Sequence, residues 1–115
     1  MATKEEINRF LKQFQEKKSI WSILFRDDRG KNAETLTVLE ITPNKRIEII
    51  DTLKVIDYSE GPLNEKLYGG SDMWVFGREI KNKEIYIKIS MGFEGSQVIC
   101  ISFHIAEFPM KYPYK

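Results

Sequence analysis

Four side chains suited to acid–base chemistry recur at every second position of two neighbouring segments. Tyr86 and Lys88 alternate with isoleucines in the first segment, and Ser102 and His104 alternate with apolar residues in the second. Side chains that recur with a period of two lie on one face of a β-strand. An imidazole transfers protons near neutral pH, while a phenol, a hydroxyl and an ammonium donate hydrogen bonds or stabilise negative charge. The pattern predicts a polar sheet face that carries a site for acid–base catalysis.

The two segments, 84–90 and 98–105, are predicted to pair as an antiparallel hairpin. Their bulkiest apolar residues stand at odd positions, and the loop between them contains two glycines. For the apolar faces to coincide, Tyr86 must pair with Ser102 or His104, so Tyr86 and His104 are direct or diagonal neighbours. The residues predicted to face the core are Ile85, Ile87, Ile89, Ile99, Ile101, Phe103 and Ile105.

A third strand is predicted from Met73, before a turn at residues 81–83. Its register stays open, because a glycine and an arginine interrupt the alternation. If the turn has three residues, Arg78 lies beside Tyr86 and joins the polar face. With a two-residue turn it lies opposite Ile87, which is a poor place for a charge.

The segments before this strand are predicted to cover one face of the sheet. Thr3 and Glu6 form a capping box for a first helix that ends near Lys18. Residues 20–25 are rich in β-branched and aromatic side chains, which indicates an edge strand. The charged turn at residues 26–32 is predicted to be a solvated loop rather than a substrate contact.

Two shorter helices and a long loop are predicted next. Residues 33–39 are predicted to form a short helix, and Thr42 followed by Pro43 is predicted to begin another that extends to Leu53. Residues 55–70 contain glycines, a proline and polar turn formers, so they are predicted to be mostly loop. The order of elements predicts an α+β fold with a three-stranded antiparallel meander, an added edge strand, and two or three helices packed on one face.

The length of 115 residues predicts a single domain that spans residues 1–115. Eighteen basic residues nearly balance 17 acidic ones, so no global field attracts nucleic acid or an anionic membrane. The lone Cys100 is predicted to be a buried hydrophobe rather than a nucleophile. One histidine and one cysteine do not make an ordinary zinc site, and no cofactor motif is present. With no apolar run long enough to span a membrane, we expect a cytoplasmic protein with no membrane partner.

The C-terminal segment, residues 106–115, contains two prolines. Proline is excluded from helix interiors and from central strands. The segment therefore packs over the sheet edge or stacks on a ligand, and both alternatives stay open.

Two stretches of the strand region carry a family resemblance. They are V-F-G-x-x-x-x-x-K-E-I-Y-I-K-I, from Val75 to Ile89, and V-I-C-I-S-F-H, from Val98 to His104. These stretches resemble the MqsR family of toxins, whose fold is similar to that of RelE and YoeB, and residues 39–57 align with its second helical region. The resemblance implies a RelE-like fold and a ribosome-independent endoribonuclease. Such an enzyme cuts messenger RNA and is neutralised by a cognate antitoxin protein.

The resemblance also implies site residues by position. The family's tyrosine falls on Tyr86, the lysine after it on Lys88, and the lysine at the end of the last strand on His104. The family's other lysine corresponds to Glu60 here, and its glutamine falls near Met73. These two departures leave open whether cleavage specificity, or even activity, matches that of the family.

Metal-free cleavage of RNA needs a base for the 2′-hydroxyl, cations for the charge on the phosphorane, and an acid for the 5′-oxygen. His104 is the best single acid or base, Lys88 and Arg78 stabilise charge, and Tyr86 is a donor or a platform for a base. Glu60 supplies a second proton-transfer group if the long loop folds over the sheet. The catalytic candidates are thus His104, Tyr86, Lys88 and Glu60, and the RNA-binding candidates are Arg78, Trp74 and Ser102.

Two other functions stay open beside the nuclease. The polar face could bind single-stranded RNA without cleaving it. Alternatively, the chain could be a protein-interaction module that captures a peptide at a sheet edge or through its C-terminal segment. A strand histidine considered alone is structural or merely exposed more often than it is catalytic. The three functions differ in whether RNA is cleaved, bound or ignored.

Overall fold

The computed structural model describes residues 1–27, 30–64 and 71–115, and these form an α+β fold, as predicted. The first helix begins at the predicted capping box, in which Thr3 and Glu6 exchange hydrogen bonds of 2.9 and 3.1 Å. In chain order the elements are α1 Lys4–Trp21, β1 Ile23–Phe25, α2 Lys31–Leu39, α3 Pro43–Asp51, a 3₁₀ turn Val55–Asp57, β2 Tyr58–Leu63, β3 Met73–Ile80, β4 Lys83–Ser90 and β5 Val98–Ile105.

The described strands form one mixed sheet in the order β1-β5-β4-β3-β2, in which β1 and β5 are parallel. The predicted sheet, a three-stranded meander with one edge strand, is too small, because β2 occurs in the segment predicted to be loop. Gly61 and Pro62 led to the prediction of a loop, because both residue types favour turns. The strand can nevertheless form, because proline is tolerated at a sheet edge. The rest of the predicted loop, residues 65–70, lies outside the described residues.

The main hydrophobic core lies between α1 and one face of the sheet. Ile85, Ile87 and Ile89 of β4 are fully buried there, as their odd spacing predicts. The ring of Phe10 in α1 stacks on Trp74 of β3, with ring centroids 4.6 Å apart. Because these side chains are buried together, the even-numbered residues of β4 must point away from α1. The other helical residues of this core include Ile7, Leu11, Phe14, Leu39, Ile49 and Ile50.

A β-bulge in β5 changes which of its residues face this core. Ser102 pairs with Lys88, as the predicted register requires, but Ile101 has no partner in β4. Cys100 pairs with Ile89, the residue after Lys88. An extra residue in one strand reverses the alternation on the far side of the bulge. Cys100 therefore joins the main core, whereas Ile99 and Ile101 pack with Met73 on the opposite face. The prediction that Ile99 and Ile101 face the main core is wrong for this reason.

The outer edge of β5 is completed by side chains of α2. β1 pairs with only the first part of β5, so the backbone groups that follow need other partners. The side-chain amide of Asn32 donates to the carbonyl oxygen of Ile101 at 3.3 Å and accepts from the N–H of Phe103 at 2.9 Å. The hydroxyl of Thr35 accepts from the N–H of Ile105 at 3.2 Å. Helix α2 thus takes the place of a longer edge strand.

Replacing Asn32 by Ala should lower the free energy of unfolding by about 1–3 kcal/mol, because it leaves buried backbone groups of β5 unpaired. The change also removes a 2.8 Å hydrogen bond to the carbonyl oxygen of Arg26. Urea denaturation should show a lower midpoint with an unchanged slope. Asn44→Ala, at an exposed position of α3, is the matched control and should change stability by less than about 0.5 kcal/mol. Equal midpoints for the two variants would contradict the role given to Asn32.

Candidate functional site

The even-numbered face of β4 and β5 forms the floor of a cleft with a volume of 520 Å³. Tyr86 pairs directly with His104, which confirms that the two are neighbours, and Lys88 pairs directly with Ser102. Glu60 of β2 lines the same cleft. The structure thus brings together five of the predicted site residues. The other lining residues are Ser59, Glu107, Phe108, Pro109, Met110 and Lys111.

Glu60 enters the cleft from a strand and not from a loop folded over the sheet. It pairs with Val75, and Val75 pairs with Lys88. The row continues to Ser102 in β5. With neighbouring strands about 4.8 Å apart, Glu60 lies about 14 Å from β5 along this row. Its carboxylate and the imidazole of His104 therefore stand on opposite sides of the cleft, with Lys88 on a strand between them.

Two contacts hold the imidazole of His104 in one orientation. Its ring stacks on Tyr86, with centroids 5.3 Å apart and planes inclined by 13°. Its Nδ1 lies 2.9 Å from the carbonyl oxygen of Ile105. Because a carbonyl oxygen only accepts hydrogen bonds, Nδ1 carries the proton in the neutral ring and Nε2 is the basic nitrogen. The Nζ of Lys88 lies 5.7 Å from the centroid of the Tyr86 ring, so a cation stands beside the stacked pair.

One wall of the cleft belongs to residues 106–115, which we name the strap. Glu84 of β4 fixes it through both backbone and side chain. The carbonyl oxygen of Glu84 accepts from the N–H of Ala106 at 2.8 Å. Its carboxylate accepts from the N–H of Met110 at 3.0 Å and from the hydroxyl of Tyr112 at 2.9 Å. Burial, followed by this hydrogen bond to Glu84, raises the pKa of Tyr112, so the phenol remains a neutral donor.

Gly77 makes room for the strap on the sheet. A Cβ at this position would overlap the hydroxyl of Tyr112 and lie 2.9 Å from the Sδ of Met110. Since Gly77 pairs with Tyr86, the strap crosses the sheet on the face that carries the cleft. Farther along, the hydroxyl of Tyr114 donates at 2.6 Å to a carbonyl oxygen just before α1. Of the two alternatives for this segment, packing on the sheet is therefore present.

Arg78 does not line the cleft, and neither predicted register occurs. The turn after β3 has two residues, both with positive φ, and Arg78 pairs with Ile85. Because Ile85 faces the main core, Arg78 is on the α1 side of the sheet. Its guanidinium donates to the Asp57 carboxylate at 2.7 and 3.2 Å. The prediction that Arg78 lies on the polar face beside Tyr86 is wrong, because the side chain is committed to Asp57.

Trp74 and Cys100 both belong to the main core. Trp74 is 9% exposed, stacks on Phe10 and does not line the cleft, so the cleft lacks one of its predicted RNA-binding residues. No periodic pattern indicates this stack, because its two partners are far apart in the chain. Cys100 is fully buried, as predicted, and burial raises the pKa of its thiol. A thiol in this environment is not a nucleophile.

No cluster of three or more histidine, cysteine, aspartate or glutamate side chains within residues 1–27, 30–64 and 71–115 could hold a metal ion. No helix in this described part of the chain is long and apolar enough to cross a membrane.

Comparison with known proteins gives no match to a family model, a curated protein or a solved structure. The similarity to MqsR toxins therefore stays a prediction.

Sequence reasoning missed the strap as a wall of the cleft and Glu84 as its anchor. Glu84 is an even-numbered residue of β4, as Tyr86 and Lys88 are, so the alternation could have placed it on the polar face. The path of the strap had no such signal. Its prolines indicate an extended segment, but the direction of that segment depends on the contacts with Glu84 and Gly77.

Replacing Glu84 by Ala should release the strap, because it removes the acceptor for the Met110 N–H and the Tyr112 hydroxyl. Trypsin should then cleave after Lys111, which lies between these anchors, about 10-fold faster than in the wild type. Mass spectrometry of timed digests measures the rate. Glu79→Ala is the matched control, since Glu79 is the cross-strand neighbour of Glu84 and holds neither anchor. Equal cleavage rates in the two variants would show that Glu84 does not fix the strap.

Proposed function

We propose that this chain is a metal-independent endoribonuclease that cleaves messenger RNA as the toxin of a toxin–antitoxin pair. The observation that carries the proposal is the meeting of Glu60, Lys88 and His104 in one cleft, beside Tyr86 and Ser102. A carboxylate, an ammonium and an imidazole can together cleave RNA without a metal ion. The MqsR-like stretches suggest the messenger-RNA substrate, an antitoxin partner and a cytoplasmic site of action.

In the proposed reaction, the Glu60 carboxylate takes the proton of a ribose 2′-hydroxyl, and the 2′-oxygen forms a bond to the adjacent phosphorus. His104 gives its Nε2 proton to the 5′-oxygen as the bond between phosphorus and that oxygen breaks. The products are a 2′,3′-cyclic phosphate and a 5′-hydroxyl end. Exchange with water then removes the proton from Glu60 and returns one to His104.

The positions of the two groups support this division of roles. Glu60 and His104 stand on opposite sides of the cleft, as an in-line displacement requires of its base and its acid. The hydrogen bond from Nδ1 of His104 to the Ile105 carbonyl exists in both protonation states of the ring. The imidazole therefore keeps its orientation while Nε2 loses and regains its proton.

Lys88 and its neighbours account for the remaining needs of the reaction. Its ammonium, between the proposed base and acid, stabilises the charge that develops on the phosphorane oxygens. Tyr86 holds the imidazole by stacking, and Ser102 presents a hydroxyl on the cleft floor next to Lys88. Because Glu60 stands where the MqsR family has a lysine, the chain has one cation fewer there and depends more on Lys88.

His104→Ala and Glu60→Gln should each lower the rate of cleavage of a single-stranded RNA by about 100-fold or more. The melting temperature should hardly change, because neither side chain lies in the core. Gel analysis with end-group mapping measures the rate and identifies the cyclic phosphate. Glu79→Gln, an exposed carboxylate on the same sheet face but outside the cleft, is the control and should keep wild-type activity.

Two outcomes would contradict this mechanism. Wild-type rates for both His104→Ala and Glu60→Gln would place the chemistry elsewhere. If the wild-type protein binds RNA saturably but never cuts it, the result would instead favour a non-catalytic single-strand-binding module.

Production of the intact chain in bacteria without an antitoxin should arrest growth and deplete messenger RNA, because nothing restrains the nuclease. His104→Ala, produced at the same soluble level, should permit growth. Growth rate and messenger-RNA abundance after induction are the measurements. Normal growth at a verified level of soluble wild-type protein would count against the toxin function.

A further inference from the structure

We propose that Phe108 is a stacking platform for a nucleobase, which makes the strap the base-binding wall of the cleft. This inference rests on the proposed ribonuclease function and adds a substrate subsite to it. Phe108 lines the cleft together with Lys88 and His104, yet its side chain is 79% exposed. An exposed phenyl ring is common on protein surfaces. This ring differs from other exposed rings in the hydrogen bonds that hold the backbone on either side of it and in the side chains around it.

The bend at residues 107–109 is fastened to Glu84 at both ends. Before the bend, the N–H of Ala106 donates to the carbonyl oxygen of Glu84 at 2.8 Å. After it, the N–H of Met110 donates to the carboxylate of the same residue at 3.0 Å. The proline that follows Phe108 restricts the backbone further. Because these hydrogen bonds already order the backbone of the bend, little backbone entropy is lost when a base stacks on Phe108.

The strap packs its two tyrosines and leaves only Phe108 of its aromatic residues largely exposed. Tyr112 fits over Gly77, and the ring of Tyr114 lies 6.1 Å from that of Tyr58. The exposure of Phe108 is therefore not the result of a loosely attached strap. A segment that is held closely on the sheet presents one aromatic face to the cleft.

The surroundings of Phe108 fit a single-stranded nucleic acid. Lys111 on the strap and Lys88 on the floor line the same cleft and can contact phosphates. Aromatic rings interleaved with cations bind unpaired strands, because bases stack on the rings while phosphates bind the cations. Every base has a π face, so this wall contributes affinity with little preference among bases. The subsite holds a nucleotide next to the one whose 2′-hydroxyl faces Glu60.

The experiment measures binding apart from cleavage, with a short 2′-O-methyl oligoribonucleotide that cannot form a cyclic phosphate. Phe108→Ala should raise the Kd about 10-fold. Phe108→Leu should weaken binding similarly, since it keeps apolar bulk without a π face, and Phe108→Trp should bind at least as tightly as the wild type. Phe93→Ala is the matched control, because Phe93 is 61% exposed but lies outside the cleft, and it should bind normally.

Abasic oligonucleotides then test whether the contact is made to a base. At one position in the strand, the losses from Phe108→Ala and from the missing base should not add, because both changes remove the same stack. Additive losses at every position would overturn the platform. So would an unchanged Kd for Phe108→Ala.

The two proposals fail in different ways. If the wild type cuts RNA and Phe108→Ala binds RNA normally, the stacking role of Phe108 is excluded and the ribonuclease function is retained. If the wild type binds RNA without cutting it and Phe108→Ala weakens binding, the stacking role is retained and the ribonuclease function is excluded. A wild type that neither binds nor cuts RNA overturns both.

Discussion

The burial of alternate isoleucines of β4 against α1 is the constraint on which the cleft depends. Ile85, Ile87 and Ile89 are fully removed from water, which stabilises the fold by about 1.5–3 kcal/mol for each side chain. A slip of one residue in the pairing of β4 would expose all of them. Because side chains alternate, the same constraint keeps Tyr86 and Lys88 on the opposite face. The core, and not contacts within the cleft, therefore enforces the placement of these polar groups.

The bulge in β5 divides the face opposite α1 into an apolar part and a polar part. Ile101, the unpaired residue of the bulge, and Ile99 on one side of it are buried with Met73. On the other side, Ser102 and His104 lie on the cleft floor. With regular alternation, Ile99 and Ile101 would have turned into the main core, and Val98 and Cys100 would have taken their place on the cleft side of the strand. The bulge thus limits the cleft at one end, and the strap borders it at the other.

The sequence predicts the part of the site that local periodicity decides and misses the part that distant contacts decide. The pairing of Tyr86 with His104 follows from alternation in two adjacent strands. The position of Arg78 depends on a two-residue turn and an ion pair across the fold, which leave no periodic signal. Similarly, Asp27, in the turn predicted to be solvated, binds the buried guanidinium of Arg46 at 2.7 and 3.1 Å. Such pairs form only after folding brings distant segments together, and the same holds for β2 and the strap.

The balance of charge in the cleft determines how it can recognise RNA. The chain has a net charge of +1, and in the cleft Lys88 and Lys111 are offset by Glu60 and Glu107. Long-range attraction of phosphates is therefore weak, and little affinity comes from the release of counterions. Short-range contacts must supply the affinity instead, through stacking and hydrogen bonds to a nucleotide inside the cleft. Such contacts favour a flexible unpaired strand that can turn a base toward the strap, because the stacked bases of a duplex stay out of reach.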